Sequence, residues 1–170
     1  MLQPFFIFTM KYQNKTKKLI NILLKKNVKI CAAESITGGR FAFEIIKNEN
    51  ASKIFDYSLV TYTNESKSKI LGLKNEINKN NVVSKKMSEY MVRRVIKFSN
   101  HKKILAISCT GQAGPKILNK NFPIGTVFIG VSYKEKILSF KKCYNLKDRK
   151  SVINSTVNEM IDICLKIVKS

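Results

Sequence analysis

The feature that most limits the fold is a pair of strand-length apolar runs that each stop at a loop of small residues. Val28 to Ala33 is one such run, and it leads into Glu34-Ser35-Ile36-Thr37-Gly38-Gly39. Phe41, Ala42 and Ile45 then recur at helical spacing, so the two glycines mark a tight turn from strand to helix. Ile104 to Ser108 repeats the pattern and runs into Cys109-Thr110-Gly111-Gln112-Ala113-Gly114-Pro115. Strands alternating with helices predict an α/β domain, a three-layer α/β/α sandwich, with ligands at the carboxyl ends of its strands.

Other segments fit the same architecture. Lys17 to Lys26 sets Leu19, Ile20, Leu23 and Leu24 on one helical face. Tyr57 to Tyr62 alternates as a strand, and Thr63 or Asn64 caps a short helix holding Lys67, Ile70 and Leu71, which Gly72 ends. Ser84 caps a longer helix with Met87, Met91, Val95 and Phe98 inward and Arg93, Arg94 and Lys97 solvated. Gly125 to Tyr133 and Lys136 to Tyr144 read as a hairpin, which makes the central sheet mixed. From near Arg149 to the end, Val152, Ile153, Val157, Met160, Ile161, Cys164, Leu165 and Val168 form an apolar helical stripe.

At 170 residues the chain holds one domain, placed at 11–170. Residues 1–10, MLQPFFIFTM, are read as a disordered extension or a mis-assigned start, with Met10 the alternative first residue. That stretch lacks a basic segment and a cleavage site, and no apolar run reaches membrane-span length, so a cytoplasmic location and no membrane partner are expected. The four cysteines are far apart, show no C-x-x-C pair and lie in apolar runs. They read as reduced, buried thiols, and neither a metal nor another cofactor is expected.

A net charge of +21 raises the question of a nucleic-acid partner. The favoured account is compositional. Arginine occurs only at Arg40, Arg93, Arg94 and Arg149, while lysine travels with asparagine and isoleucine along the whole chain, as A- and T-rich codons would dictate. No aromatic-interleaved basic motif is present. The charge would still steer anionic small molecules toward the protein.

The chain has one histidine, His101, away from both glycine turns and read as an exposed loop residue. Schemes that need two histidines are excluded and a Ser-His-Asp triad is disfavoured. Hydroxyl nucleophiles remain, with lysine as the available base. Ser35 sits where a strand would deliver a side chain to the sheet edge, and the N–H groups of Thr37, Gly38 and Gly39 could hold a phosphate or an oxyanion. Spacing alone leaves a second reading open, in which Ser35 or Thr37 merely caps the helix. Lys67 is one lysine among many. It gains interest only if its strand lies beside the Ser35 strand, where burial would lower its pKa and let it accept the serine proton.

The strings AAESITGG (32–39), VTYTNESKSKILGL (60–73), SCTGQAGP (108–115) and PIGTVFIGV (123–131) together resemble the CinA C-terminal domain family. That family carries, in order, an ESCTGG loop, a TYSNEAK segment, a valine-serine step, an S-x-SGIAGP loop and a PVGTV strand. The resemblance implies a compact α/β/α domain, a homodimer, and hydrolysis of nicotinamide mononucleotide to nicotinate mononucleotide and ammonia, without a metal. Ser35 matches the family's catalytic serine, Lys67 the lysine of its NEAK segment and Arg149 the arginine of its GDR segment. Tyr62 and Thr110 match pocket residues. On this reading Lys67 takes the Ser35 proton, amides at Thr37 to Gly39 or near Gly111 hold the oxyanion, and Arg149 meets the nucleotide phosphate. Ile36 replaces the usual cysteine, and Lys116-Ile117-Leu118-Asn119 replaces a glycine pair, which reshapes the loop beside the pocket. The competing reading is a non-catalytic or differently specific homologue, such as a basic nucleic-acid-binding module.

Overall fold

The computed structural model of the chain describes residues 4–77, 82–145 and 148–170. Its elements run α1 (Pro4–Lys26), β1 (Lys29–Glu34), α2 (Arg40–Ile46), β2 (Phe55–Val60), α3 (Asn64–Leu71), α4 (Lys85–Val95), β3 (Ile104–Gly111), β4 (Thr126–Tyr133), β5 (Lys136–Cys143) and α5 (Arg149–Lys169). The helix expected at Lys17–Lys26 begins further upstream, at Pro4, and takes in much of the segment read as an extension.

The sheet order is β2-β1-β3-β4-β5. β1 is parallel to both of its neighbours, whereas β3 to β4 and β4 to β5 are antiparallel, so the sheet is mixed, as expected. After β1 the chain crosses to one side to form β2 and returns on the other side as β3. A crevice therefore opens beyond the carboxyl end of β1, the position where open α/β sheets take their ligands. Glu34 is the last residue of β1 paired on both sides, with Val60 and Cys109. Ser35 thus stands one residue past the sheet edge.

Alternation along β1 feeds two cores. Ile30 and Ala32 face one layer, where α1, α2 and α5 bring Leu19, Leu23, Phe41, Ile45, Met160 and Val168. Cys31 and Ala33 face the other, where α3 and α4 bring Leu71, Met87, Met91 and Val95. The three layers are those the sequence predicts. α4 crosses the sheet so closely that a Cβ added to Gly130 would lie 2.4 Å from the Ser88 carbonyl oxygen. Only glycine fits there.

Two sequence expectations are corrected. Phe98 is 55% exposed rather than inward, because α4 ends at Val95 and a short 3-10 turn at Ile96–Phe98 rotates it off the apolar stripe. Cys143 is exposed while Cys31, Cys109 and Cys164 are buried. It lies on β5, an edge strand with no fully buried position.

Candidate active site

The strand-to-helix turn that carries Ser35 begins with Glu34, whose carboxylate is wholly buried and accepts five hydrogen bonds. Its Oε2 takes the Thr37 hydroxyl at 2.7 Å and the amides of Gly39 and Phe41 at 3.0 Å. Its Oε1 takes the Ala42 amide at 3.0 Å and the Ser58 hydroxyl at 2.9 Å. The amides of Gly38 and Arg40 donate within the turn to Ser35 and Thr37. Gly38 and Gly39 adopt positive φ, 59° and 93°, which the turn requires.

This arrangement corrects one expectation. The turn donors at Gly38 and Gly39 are already engaged, so they are not available to a phosphate or oxyanion. Thr37, Gly38 and Gly39 line a shallow groove shared with Arg40, Phe43 and Lys150 instead of the cavity at Ser35. No local capping pattern reveals Glu34, because it acts across the turn rather than at the position before the helix.

β2 lies beside β1 and carries α3 over the same edge, as the Lys67 hypothesis requires. Thr63 and Ser66 form a reciprocal capping box, and Gly72 closes the helix in a left-handed conformation, so Lys67 sits in a firmly ended segment. Its side chain is 2% exposed. The Nζ lies 3.0 Å from Ser35 Oγ, 2.9 Å from the Thr61 carbonyl and 3.1 Å from the Tyr62 carbonyl. Burial pulls its pKa down from 10.5 to about 8, opposed in part by Cys109. Ser35 is itself nearly buried, at 7% exposure.

These contacts have a chemical consequence. The two carbonyls can only accept, and a neutral amine has two N–H groups and one lone pair. Donation to both carbonyls leaves the lone pair for the Ser35 hydroxyl, the geometry of a base poised on its nucleophile at hydrogen-bond distance.

Ser35, Tyr62, Lys67, Thr110, Gly111 and Arg149 line a single cavity of about 350 Å³. Arg149, the first residue of α5, donates to the Tyr62 hydroxyl at 2.6 Å and to the Gly114 carbonyl at 2.8 Å. It thereby joins the β2–α3 turn, the β3–β4 loop and the last helix at one mouth. The Thr110 hydroxyl donates to the Val82 carbonyl at 2.6 Å and braces the opposite wall.

The altered loop after Pro115 has its own support, which sequence reading missed. Gln112 donates from Nε2 to the carbonyls of Asn119, Phe122 and Pro123 and accepts at Oε1 from the amides of Leu118 and Asn119. Asn119 in turn donates to the Val83 carbonyl at 3.0 Å. Lys116 and Leu118 reach the cavity from this loop. His101 is exposed, 3.7 Å from an Asp56 oxygen, and takes no part in the site.

The serine-lysine pair on a strand-to-helix turn, with a capped lysine helix on the adjacent strand, agrees with the motif order in the sequence, and the comparison with known domains decides the matter. The model of the CinA C-terminal domain matches residues 12–168. The chain belongs to the CinA C-terminal domain family. A CinA-like protein of Endomicrobium trichonymphae is 40% identical over 144 residues, which cover 84% of this chain and 33% of that protein. Another, from Flavobacterium psychrophilum, is 36% identical over 146 residues, covering 85% and 34%. The chain spans about a third of the length of these curated relatives. A solved CinA superfamily protein of Escherichia coli superposes with a TM-score of 0.86 at 24% identity, covering 98% of this chain and 94% of that one. A competence/damage inducible protein of Agrobacterium tumefaciens gives 0.85 at 23% identity, covering 94% and 96%. These structures confirm the fold of the CinA domain.

Proposed function

We propose that this CinA domain is a nicotinamide-nucleotide amidase that hydrolyses the carboxamide of nicotinamide mononucleotide to nicotinate mononucleotide and ammonia. The observation that carries the reading is the buried Ser35–Lys67 contact of 3.0 Å, with both remaining lysine contacts made to carbonyl acceptors. Neutral Lys67 takes the Ser35 proton as Oγ attacks the amide carbon. The tetrahedral oxyanion collapses, the lysine returns the proton to the leaving nitrogen, and ammonia departs from an acyl-serine that water hydrolyses.

The oxyanion is met by amides that line the cavity. Those of Ile36, Ala113 and Gly114 have no hydrogen-bond acceptor among the described residues, and the last two belong to the alternative set expected near Gly111. Arg149 meets the nucleotide phosphate with the guanidinium donors that Tyr62 and Gly114 leave over. Two such domains pair as a homodimer on this reading.

The test is ammonia and nicotinate mononucleotide release by purified protein, with Ser35→Ala, Lys67→Ala and a chelator run alongside. Loss of turnover in both variants, with the chelator without effect, is expected. Undiminished turnover in Ser35→Ala would sink the scheme.

A further inference from the structure

Resting on the amidase reading, we infer that Glu34 is a positioning residue for the nucleophile, acting through the turn rather than on the substrate. The first turn of α2 has amides at Phe41 and Ala42 that no helical carbonyl can satisfy. An ordinary helix would recruit a serine or threonine just before it as a cap. Here the cap position is Gly39, which has no side chain to offer, and Ser35 and Thr37 lie too far back to reach the amides of Phe41 and Ala42. Glu34 supplies the missing cap from the end of β1. Its two oxygens reach back over the turn to Phe41 and Ala42, bind Gly39, and hold the Thr37 hydroxyl, so the helix end is satisfied without Ser35.

Position adds to the argument. Glu34 is locked into the sheet by pairing with strands on both sides, and its backbone carbonyl accepts the Thr61 amide at 2.8 Å. Thr61 is the residue whose carbonyl holds Lys67. One residue therefore fixes the turn bearing the nucleophile and the strand end whose carbonyl holds the base. The Ser58 hydroxyl on β2 closes the arrangement at the other oxygen. All five partners donate, and an amide in place of the carboxylate would in either orientation point its NH2 at a backbone N–H that cannot accept, that of Ala42 on one side or those of Gly39 and Phe41 on the other.

The test compares wild type with Glu34→Gln and with Ser58→Ala, a residue outside the cavity that supplies one of the five donors. Expected is a kcat about 100-fold lower in Glu34→Gln with KM little changed, since a displaced nucleophile loses rate rather than binding. Ser58→Ala, which leaves four donors in place, loses several-fold in kcat. Amide hydrogen exchange at Phe41 and Ala42 should quicken in Glu34→Gln, and the labelling rate of Ser35 by a fluorophosphonate, taken well below the melting temperature, should fall in step with kcat. Exposed amides with labelling and kcat unchanged would reduce Glu34 to a structural cap and overturn the inference. If Glu34→Gln does not fold, Ser58→Ala decides alone, and wild-type kcat there overturns it. A wild type without amidase turnover would sink the amidase reading only, because fluorophosphonate labelling still reports the nucleophile. A wild-type Ser35 that resists labelling overturns both.

Discussion

Protonated and neutral Lys67 fill the same three contacts in different senses. With three protons the ammonium donates to Ser35 and to both carbonyls; with two, it presents a lone pair to the serine. The depressed pKa of about 8 sets where one form gives way to the other. Activity should therefore climb about tenfold per pH unit below that value and level off above it, read as kcat/KM against pH. Lys67→Arg, which keeps the charge and cannot release its proton, should be inactive across the whole range. Stability carries the same signature. Between about 8 and the ordinary 10.5 the unfolded chain binds more protons than the folded one, so the contribution of Lys67 rises with pH there, and below about 8 both states are protonated. The melting temperature of wild type relative to Lys67→Met should move in favour of wild type as pH rises through this window. A flat difference would mean that the lysine is not desolvated.

At the scale of elements, what could be read in advance is what is decided locally. Ser84 and Thr63 cap their helices, Gly72 ends α3, and the β4–β5 hairpin lies where alternation placed it, because each depends on residues within one turn or strand. Glu34 could not be read this way, since its partners lie up to eight residues on and across a strand pair. Phe98 has helical spacing, yet the helix stops before reaching it. Cys143 looks like a core residue until the sheet order puts β5 at an edge. Gly130 belongs with these, since nothing near it in sequence shows that Ser88 of α4 will press against it. Gly130→Ala should push α4 off the sheet and lower stability by about 1–3 kcal/mol in urea unfolding, with m unchanged. A neutral result would mean that the helix has slack.

For the whole molecule the unabsorbed feature is charge. The net +21 does not depend on the site, where among the described residues only Lys67, Lys116 and Arg149 bring positive charge to the cavity. If the remainder serves mainly to draw in an anionic nucleotide, KM should rise and kcat hold between about 10 and 150 mM salt, as the screening length falls from about 30 Å to about 8 Å. A KM indifferent to salt would leave the charge to codon composition alone. The three-layer fold was legible because periodicity and turns extend along the whole chain. Ser35 and Lys67 emerged from the motifs, but their meeting depended on β2 lying next to β1, a pairing that composition does not encode.

The bridge from Arg149 to Tyr62 and Gly114 bears on time as well as shape. Its partners lie 87 and 35 residues from Arg149 in sequence, and the cavity mouth closes only when the last helix docks. Contacts of such sequence separation form late, because chain closure must be paid in entropy before they return anything. During refolding from denaturant, helical signal should therefore recover ahead of turnover, and the interval between them would measure how long the chain holds its layers without yet having a pocket.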